Sequence, residues 1–247
     1  MNVFVAAAVA IVASAAAAQA LTLTATVRDF ENTHPNFGKG APFGVVTGAV
    51  APTLTGAAPT PVFVEGARET NPKNFTTHAD FNSWWTAPGV AFDMTFAEAG
   101  GVLSYNGASA TDGKQFFPLG ADNYLFTLNV SGLLSFKDND TFSATADDDL
   151  WVFVDKKLVL DLGGVHAPTT RSFSAATLTG LGLSAGQNYA LDIFFAERNV
   201  TQSALNFTTT MALAPVPAPV PLPAPFALLA AGVAGLGLVT RRRKTVA

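Results

Sequence analysis

Three consecutive carboxylates, Asp147, Asp148 and Asp149, run straight into the apolar stretch Leu150-Trp151-Val152-Phe153-Val154. Successive side chains of an extended chain point to opposite faces, so Leu150, Val152 and Val154 line one face and Trp151 and Phe153 the other. A strand that is apolar on both faces belongs in the interior, covered on both sides. Asp155-Lys156-Lys157 interrupts the run, Leu158-Val159-Leu160 resumes it and Gly163-Gly164 ends it, which reads as strand, turn, strand, turn. The acidic loop therefore lies at one end of a central hairpin. Adjacent ionised carboxylates repel one another, so such a cluster calls for a counter-cation or strong donors, and calcium, which takes several oxygen ligands, fits that demand.

The same alternation recurs along the chain. Leu21, Leu23, Ala25 and Val27 alternate with Thr22, Thr24 and Thr26, a half-buried strand with a threonine-lined outer face. Tyr124, Phe126, Leu128 and Val130 form an inward set, as do Tyr189, Leu191, Ile193 and Phe195, and as do Leu205, Phe207, Thr209, Met211 and Leu213. Turns are expected at Ser131-Gly132 and at Asp138-Asn139-Asp140. Residues 35–61, rich in Gly, Pro, Ala and Thr, read as a long loop, and 78–85 as one short helical turn with Trp84 and Trp85 as packing residues on different faces. No repeat of fixed period is present, so the pattern predicts an all-β fold, a single β-sandwich.

The two ends differ from this body. Met1 to Ala20 carry no charged side chain, and Ala18-Gln19-Ala20 has the small-x-small pattern of a leader cleavage site, which predicts a signal peptide over 1–20 and a body over 21–214. Residues 215–225 are a stiff Pro-rich spacer. Residues 226–240 are expected to form a short transmembrane sorting helix; the apolar run Phe226 to Val239 would be about 21 Å long, short of the roughly 30 Å hydrocarbon core. Arg241, Arg242, Arg243 and Lys244 lie in the closing segment 241–247 and belong on the cytoplasmic side, leaving the body outside. Without leader and tail the body keeps ten cations against eighteen carboxylates, a net charge of −8, which disfavours nucleic acid and anionic lipid surfaces. The chain has no cysteine, which excludes disulfides and thiolate metal sites.

Asp147-Asp148-Asp149-Leu150-Trp151-Val152-Phe153-Val154-Asp155, followed by Lys157 to His166, resembles the signature of the fibro-slime domain family of secreted and cell-surface proteins. Thr26-Val27-Arg28-Asp29-Phe30 with His34-Pro35, Asp80-Phe81-Asn82-Ser83-Trp84-Trp85, and Phe194-Phe195-Ala196-Glu197-Arg198 with Asn206-Phe207 fit the same family. That family is similar to the glycan-binding module of the protective-antigen type, a β-sandwich in which two neighbouring aspartates hold calcium in the lectin members. The resemblance implies Asp147 and Asp148 as calcium ligands, with Asp149, which stands where those modules usually have Gly, as a third ligand or a turn residue. Further ligands would come from another loop, for which Asn199 in Asn199-Val200-Thr201-Gln202 is the candidate by its chemical character. Lys156 stands where the family usually has Gly. The spacer, short apolar segment and basic end resemble the PEP-CTERM class of sorting signals, Val220-Pro221-Leu222-Pro223-Ala224 matching its VPLPA variant; this implies a transient inner-membrane anchor cut by an exosortase-like enzyme.

Other patterns carry less. Gly182-Leu183-Ser184-Ala185-Gly186 has the spacing of a nucleophile elbow, but a strand follows it where that device needs a helix, so it reads as a turn. His34, His78 and His166 are far apart and read as turn-fixing residues rather than zinc ligands. Glu197-Arg198 reads as an ion pair bracing its loop. Two function classes remain open beside a purely structural surface protein, in which calcium would only stiffen loops. One is an exported, non-catalytic, calcium-dependent carbohydrate-binding or adhesion module on extracellular polysaccharide. The other is a glycoside hydrolase or lyase using paired carboxylates such as Asp148 and Glu197. A solvated acidic turn, or aspartates capping backbone N–H groups, is the alternative account of Asp147 and Asp148.

Overall fold

The computed structural model describes residues 20–38, 44–56, 59–64, 77–107, 116–120, 124–200 and 202–218. The chain divides into two units, Met1–Pro215 and Val216–Ala247, and of the second only 216–218 are described. The leader up to residue 19, the apolar segment 226–240 and the basic end 241–247 lie outside the described residues. Among the described residues no helix is long and apolar enough to cross a membrane.

The first unit is all-β. Its strands are β1 (Leu21–Asp29), β2 (Val90–Ala99), β3 (Val102–Asn106), β4 (Phe126–Ser135), β5 (Thr141–Asp147), β6 (Asp149–Val154), β7 (Lys157–Leu162), β8 (Thr169–Ser174), β9 (Tyr189–Glu197), β10 (Ala204–Thr209) and β11 (Ala212–Pro215). Among the described residues two helices, α1 (His78–Thr86) and α2 (Ala175–Gly180), interrupt them. The strands pair antiparallel in the order β7-β6-β9-β4-β1-β2-β3-β10-β5-β8, with β11 added to β4. The ends of this path, β7 and β8, lie against each other, so the sheet wraps into two layers around one core.

The position of β6 follows from its composition. All six of its residues are buried. Leu150, Val152 and Val154 enter the core between the layers with Leu128, Ile193, Phe195 and Phe207. Trp151 and Phe153 enter a second cluster on the other side of the sheet, with Phe37, Phe81, Trp84, Trp85 and Phe194. This second core is roofed by α1 and by the 44–56 segment, which is pinned by the bridges Val46 to Gly163 and Thr53 to Lys157. Asp161 reinforces the roof by accepting from Gly48 N–H at 2.7 Å and from the Trp151 indole at 3.0 Å.

Three local readings are corrected by tertiary packing. The helical turn at 78–85 is a nine-residue helix, because Thr77 caps it by accepting from Asp80 N–H at 3.0 Å. Trp84 and Trp85 both reach the second core despite their adjacency, since indoles about 100° apart on a helix can close on one ring, and each lies within 6.5 Å of Trp151. Ser131-Gly132 is no turn: β4 runs through it, and Gly132 lets β11 pack closely, since a Cβ there would stand 3.0 Å from Ala214 O. The Leu205–Leu213 alternation is two strands, one in each layer. Thr209 Oγ1 accepts from Met211 N–H at 2.9 Å where the chain crosses. The turn at 138–140 and the one between α2 and β9 are present as expected.

The β6–β7 hairpin holds Asp155 and Lys156 at φ of 50° and 64°, the two positive values that a tight two-residue hairpin turn requires. Lys156 keeps the turn that Gly usually makes, and its side chain is exposed. Lys156→Gly is expected to raise stability by up to about 1 kcal/mol, the residual after the left-handed strain is relieved and the unfolded chain gains freedom. Urea titration of the two proteins checks this; a loss of stability would mean that the Lys156 side chain holds the turn.

Candidate metal centre

Strand pairing builds an acidic centre where the chain passes between layers. β5 ends at Asp147 in one layer and β6 begins at Asp149 in the other, with Asp148 at the crossover and a cis peptide bond between Asp147 and Asp148. The link from β9 to β10 makes the same passage beside it, because Asp149 pairs with Ala196 and Asp147 with Ala204. Two crossovers in register thus set the end of β9, Glu197 and Arg198, against the three aspartates.

The carboxylates of Asp147, Asp148 and Glu197 each offer an oxygen within 4.8 Å of the other two, and all three residues are buried. Asp148 is held by backbone donors on both oxygens, His166 N–H on Oδ1 and Arg198 N–H on Oδ2, each at 3.0 Å. Glu197 Oε1 accepts from Asn199 N–H at 2.9 Å. Its Oε2 is buried and accepts nothing; the Ser203 hydroxyl is close enough to ease the charge, but no hydrogen bond closes between them.

Burial is the main cause that raises all three acids. Asp147 is pushed up to about 8 by desolvation, then by the charge of Asp148 and the hydrogen bond between the two carboxyls. Desolvation raises Asp148 against the opposing pull of the Arg198 guanidinium. Glu197 is raised well above the ordinary carboxylate range by desolvation, then by the charges of Asp148 and Asp147. Three mutually repelling carboxylates, one with an orphaned buried oxygen, form a set of hard oxygen donors with the character that calcium takes.

Asp149, expected as a third ligand or a turn residue, has another role. Arg198 donates from Nε to Asp149 Oδ2 at 2.6 Å and from Nη2 to Oδ1 at 3.3 Å, and Gly164 N–H donates to Oδ1 as well. Both side chains of this pair are fully buried. The ion pair expected between Glu197 and Arg198 is therefore made by Asp149, which leaves Glu197 to the acidic cluster. Asn199 adjoins the centre through its N–H, and its own amide oxygen accepts from Val200 N–H at 2.8 Å. The role of Glu197 in the cluster is the one sequence reasoning missed. Its signal was the inward alternation of Leu191, Ile193 and Phe195, which continues to a carboxylate at 197. The histidines act locally: His166 sets its ring nitrogens against Ala167 O and Leu162 O, and His34 against Ser83 Oγ.

The fold and centre define an all-β protein with a buried acidic crossover at one end of two packed layers. Residues 106–217, which contain the whole centre, match the family model of the PA14 domain. The chain is 32% identical over 199 residues to protein psiQ of Dictyostelium discoideum, covering 70% of this chain and 19% of that protein. It is 31% identical over 193 residues to protein psiD of the same organism, covering 68% of this chain and 36% of that protein. The chain thus spans well under half the length of these relatives. Among solved structures it is similar to the PA14 sugar-binding domain from an RTX adhesin, with a TM-score of 0.37 and 12% identity over 79% of this chain and 91% of that one.

Two outcomes follow from this geometry. The three acids bind protons more tightly folded than unfolded, so their stabilising contribution is complete below the ordinary carboxylate range, about pH 4. It is lost as pH rises through the raised values, about 8 for Asp147. Melting of chelator-treated protein should show stability falling across that window, with a shallower fall in Asp147→Asn; a flat or rising profile would contradict the cluster. Asp149→Asn should behave oppositely to Asp147→Asn and destabilise by about 3–5 kcal/mol in urea, because it strands a buried guanidinium.

Proposed function

We propose that this chain is an exported, non-catalytic carbohydrate-binding or adhesion module that holds calcium between Asp147, Asp148 and Glu197. The observation that carries this reading is the closed group of three buried carboxylates containing an oxygen with no donor. A divalent cation there would satisfy Glu197 Oε2, offset the repulsion among the acids and present unfilled coordination positions to paired hydroxyls of a polysaccharide. Asn199, whose N–H donates to Glu197 Oε1, is the neighbouring residue from which a further oxygen donor would come. The PA14 match over residues 106–217 supports the carbohydrate or adhesion reading.

The finer assignment is to the fibro-slime type, on the residues Asp147 to His166 given above. Export through the inner membrane by a leader ending at Ala20, transient anchoring by 226–240 and release by an exosortase-like enzyme at the VPLPA spacer complete the proposal. The mature protein would be secreted or held at the cell surface, with extracellular polysaccharide rather than nucleic acid as its partner. A hydrolase using Asp148 and Glu197 is less well supported. Both residues are buried, and both oxygens of Asp148 are taken by backbone N–H groups, which leaves that pair poorly placed to protonate a glycosidic oxygen.

Calcium titrated into chelator-treated protein is expected to bind saturably and to raise the melting temperature, by the equivalent of about 2.7 kcal/mol at a hundredfold excess over Kd. Both effects should vanish in an Asp147→Asn, Glu197→Gln double variant that still melts cooperatively. Calcium binding that survives in this variant would place the metal elsewhere, and no binding in either protein would reduce the centre to a structural acidic turn.

A further inference from the structure

We infer that a cavity at the same end of the sandwich is a subsite for one uncharged sugar of an extended glycan that also places a sugar, two residues away, at the acidic centre. It has a volume of about 220 Å³ and is lined by Asp29, Phe30, Glu31, Asn32, Tyr124 and Val200, among others. The inference rests on the carbohydrate reading proposed above and adds to it the position and chemical class of a contact that the metal does not make.

The pairing register fixes the position. Asp29 pairs with Phe126 and Phe126 pairs with Glu197, so the mouth of this cavity and the acidic centre lie in one row across β1, β4 and β9. Two strand spacings separate them, about 10 Å. Sugars two residues apart along a single chain span such a gap. The rim is also tied directly to the centre: Val200 N–H donates to Asn199 Oδ1 at 2.8 Å, and Asn199 N–H donates to Glu197 Oε1 at 2.9 Å.

The walls are fixed before any ligand arrives. Phe30 N–H donates to Leu125 O at 2.8 Å, which joins the loop after β1 to the segment leading into β4. The Phe30 ring stacks on Phe37 with centroids 4.4 Å apart and planes 4° from parallel. Tyr124 stands edge-on to Phe117 at 4.8 Å. A preformed wall lowers the ordering penalty of binding.

The lining chemistry selects the ligand. The carboxylates of Asp29 and Glu31 and the amide of Asn32 suit hydroxyl donors, while Val200, 50% exposed, and Phe30 offer an apolar wall to the C–H face of a ring. Among the described residues no lysine, arginine or histidine lines the cavity, so a uronate, sulfate or phosphate group would meet the carboxylates of Asp29 and Glu31. The volume is below the about 300–1,000 Å³ of pockets that take drug-sized ligands, which suits one ring.

The test is calorimetric, on the purified calcium-loaded protein. The probes are glucose, mannose and galactose, their neutral trisaccharides, and trigalacturonate as the anionic counterpart. At least one neutral trisaccharide should bind about tenfold more tightly than its monosaccharide, and trigalacturonate should not bind. Val200→Trp, which fills the cavity from an exposed position, should abolish that gain while calcium affinity and melting temperature stay unchanged; Glu31→Gln should reduce it. A trisaccharide gain that persists in Val200→Trp, equal affinity for mono- and trisaccharides, or preference for trigalacturonate overturns the subsite and leaves the carbohydrate reading standing. If the calcium-loaded protein binds none of these saccharides, the carbohydrate reading itself fails and the subsite with it.

Discussion

The buried pair between Arg198 and Asp149 joins parts of this molecule that are otherwise held by unrelated forces. The guanidinium is clamped to Asp149 at the start of β6 and lies 5.2 Å over the Trp84 ring of α1. The backbone of the same residue donates to Asp148 and accepts from Gly38 N–H at 2.9 Å. One residue therefore fixes the roof helix, the loop after β1 and the acidic crossover together. Removing two charges from water is expensive, and an apolar pair of similar shape would often hold a fold as well. What an apolar pair could not do is fix an aspartate by its charge, so the pair's clearest product is the sorting of the acidic residues around it.

That sorting separates three neighbouring residues of one type. Asp149 meets a cation and two kinds of N–H donor; Asp148 meets two backbone donors; Asp147 meets other carboxylates and a partly dry environment. Desolvation raises Asp147 and Asp148 above the ordinary carboxylate range. The local fold tolerates this repulsion because β6 is anchored by apolar burial on both faces, so the acids cannot relieve it by moving the strand into water. A site in which repulsion is held in place is one where a cation gains most by binding.

The parts of the fold legible in the sequence are those governed by period. β6 was readable as a two-faced buried strand because Leu150 to Val154 contain no polar residue, and β1 and β9 because their alternation is clean. Where a single residue served a distant contact, local rules misread it. Gly132 has the composition of a turn but answers to β11 across the sheet, and the Thr209 hydroxyl sends the chain to the other layer in the middle of an unbroken alternation. The acidic centre was half legible for the same reason. Asp147 and Asp148 announce themselves by adjacency, whereas Glu197 joins them only because two crossovers, fifty residues apart in sequence, are held in register by Asp147 with Ala204 and Asp149 with Ala196.

The wrapping of the sheet explains why chemistry gathers at this end. The antiparallel path runs from β7 to β8, which lie against each other without pairing, and backbone donors are released from the ladder where the chain changes layer. His166 and Arg198 N–H groups, which leave their strands just beyond β7 and β9, are such donors, and both turn to Asp148. A carboxylate held on both oxygens by the backbone has little freedom to swing, so it can serve as a fixed point against which Asp147 and Glu197 adjust around a cation. The rigidity of the centre thus derives from the same antiparallel geometry that built the two layers, and the solvent-facing part of this end falls to the Asn199–Val200 rim, where Val200 is exposed.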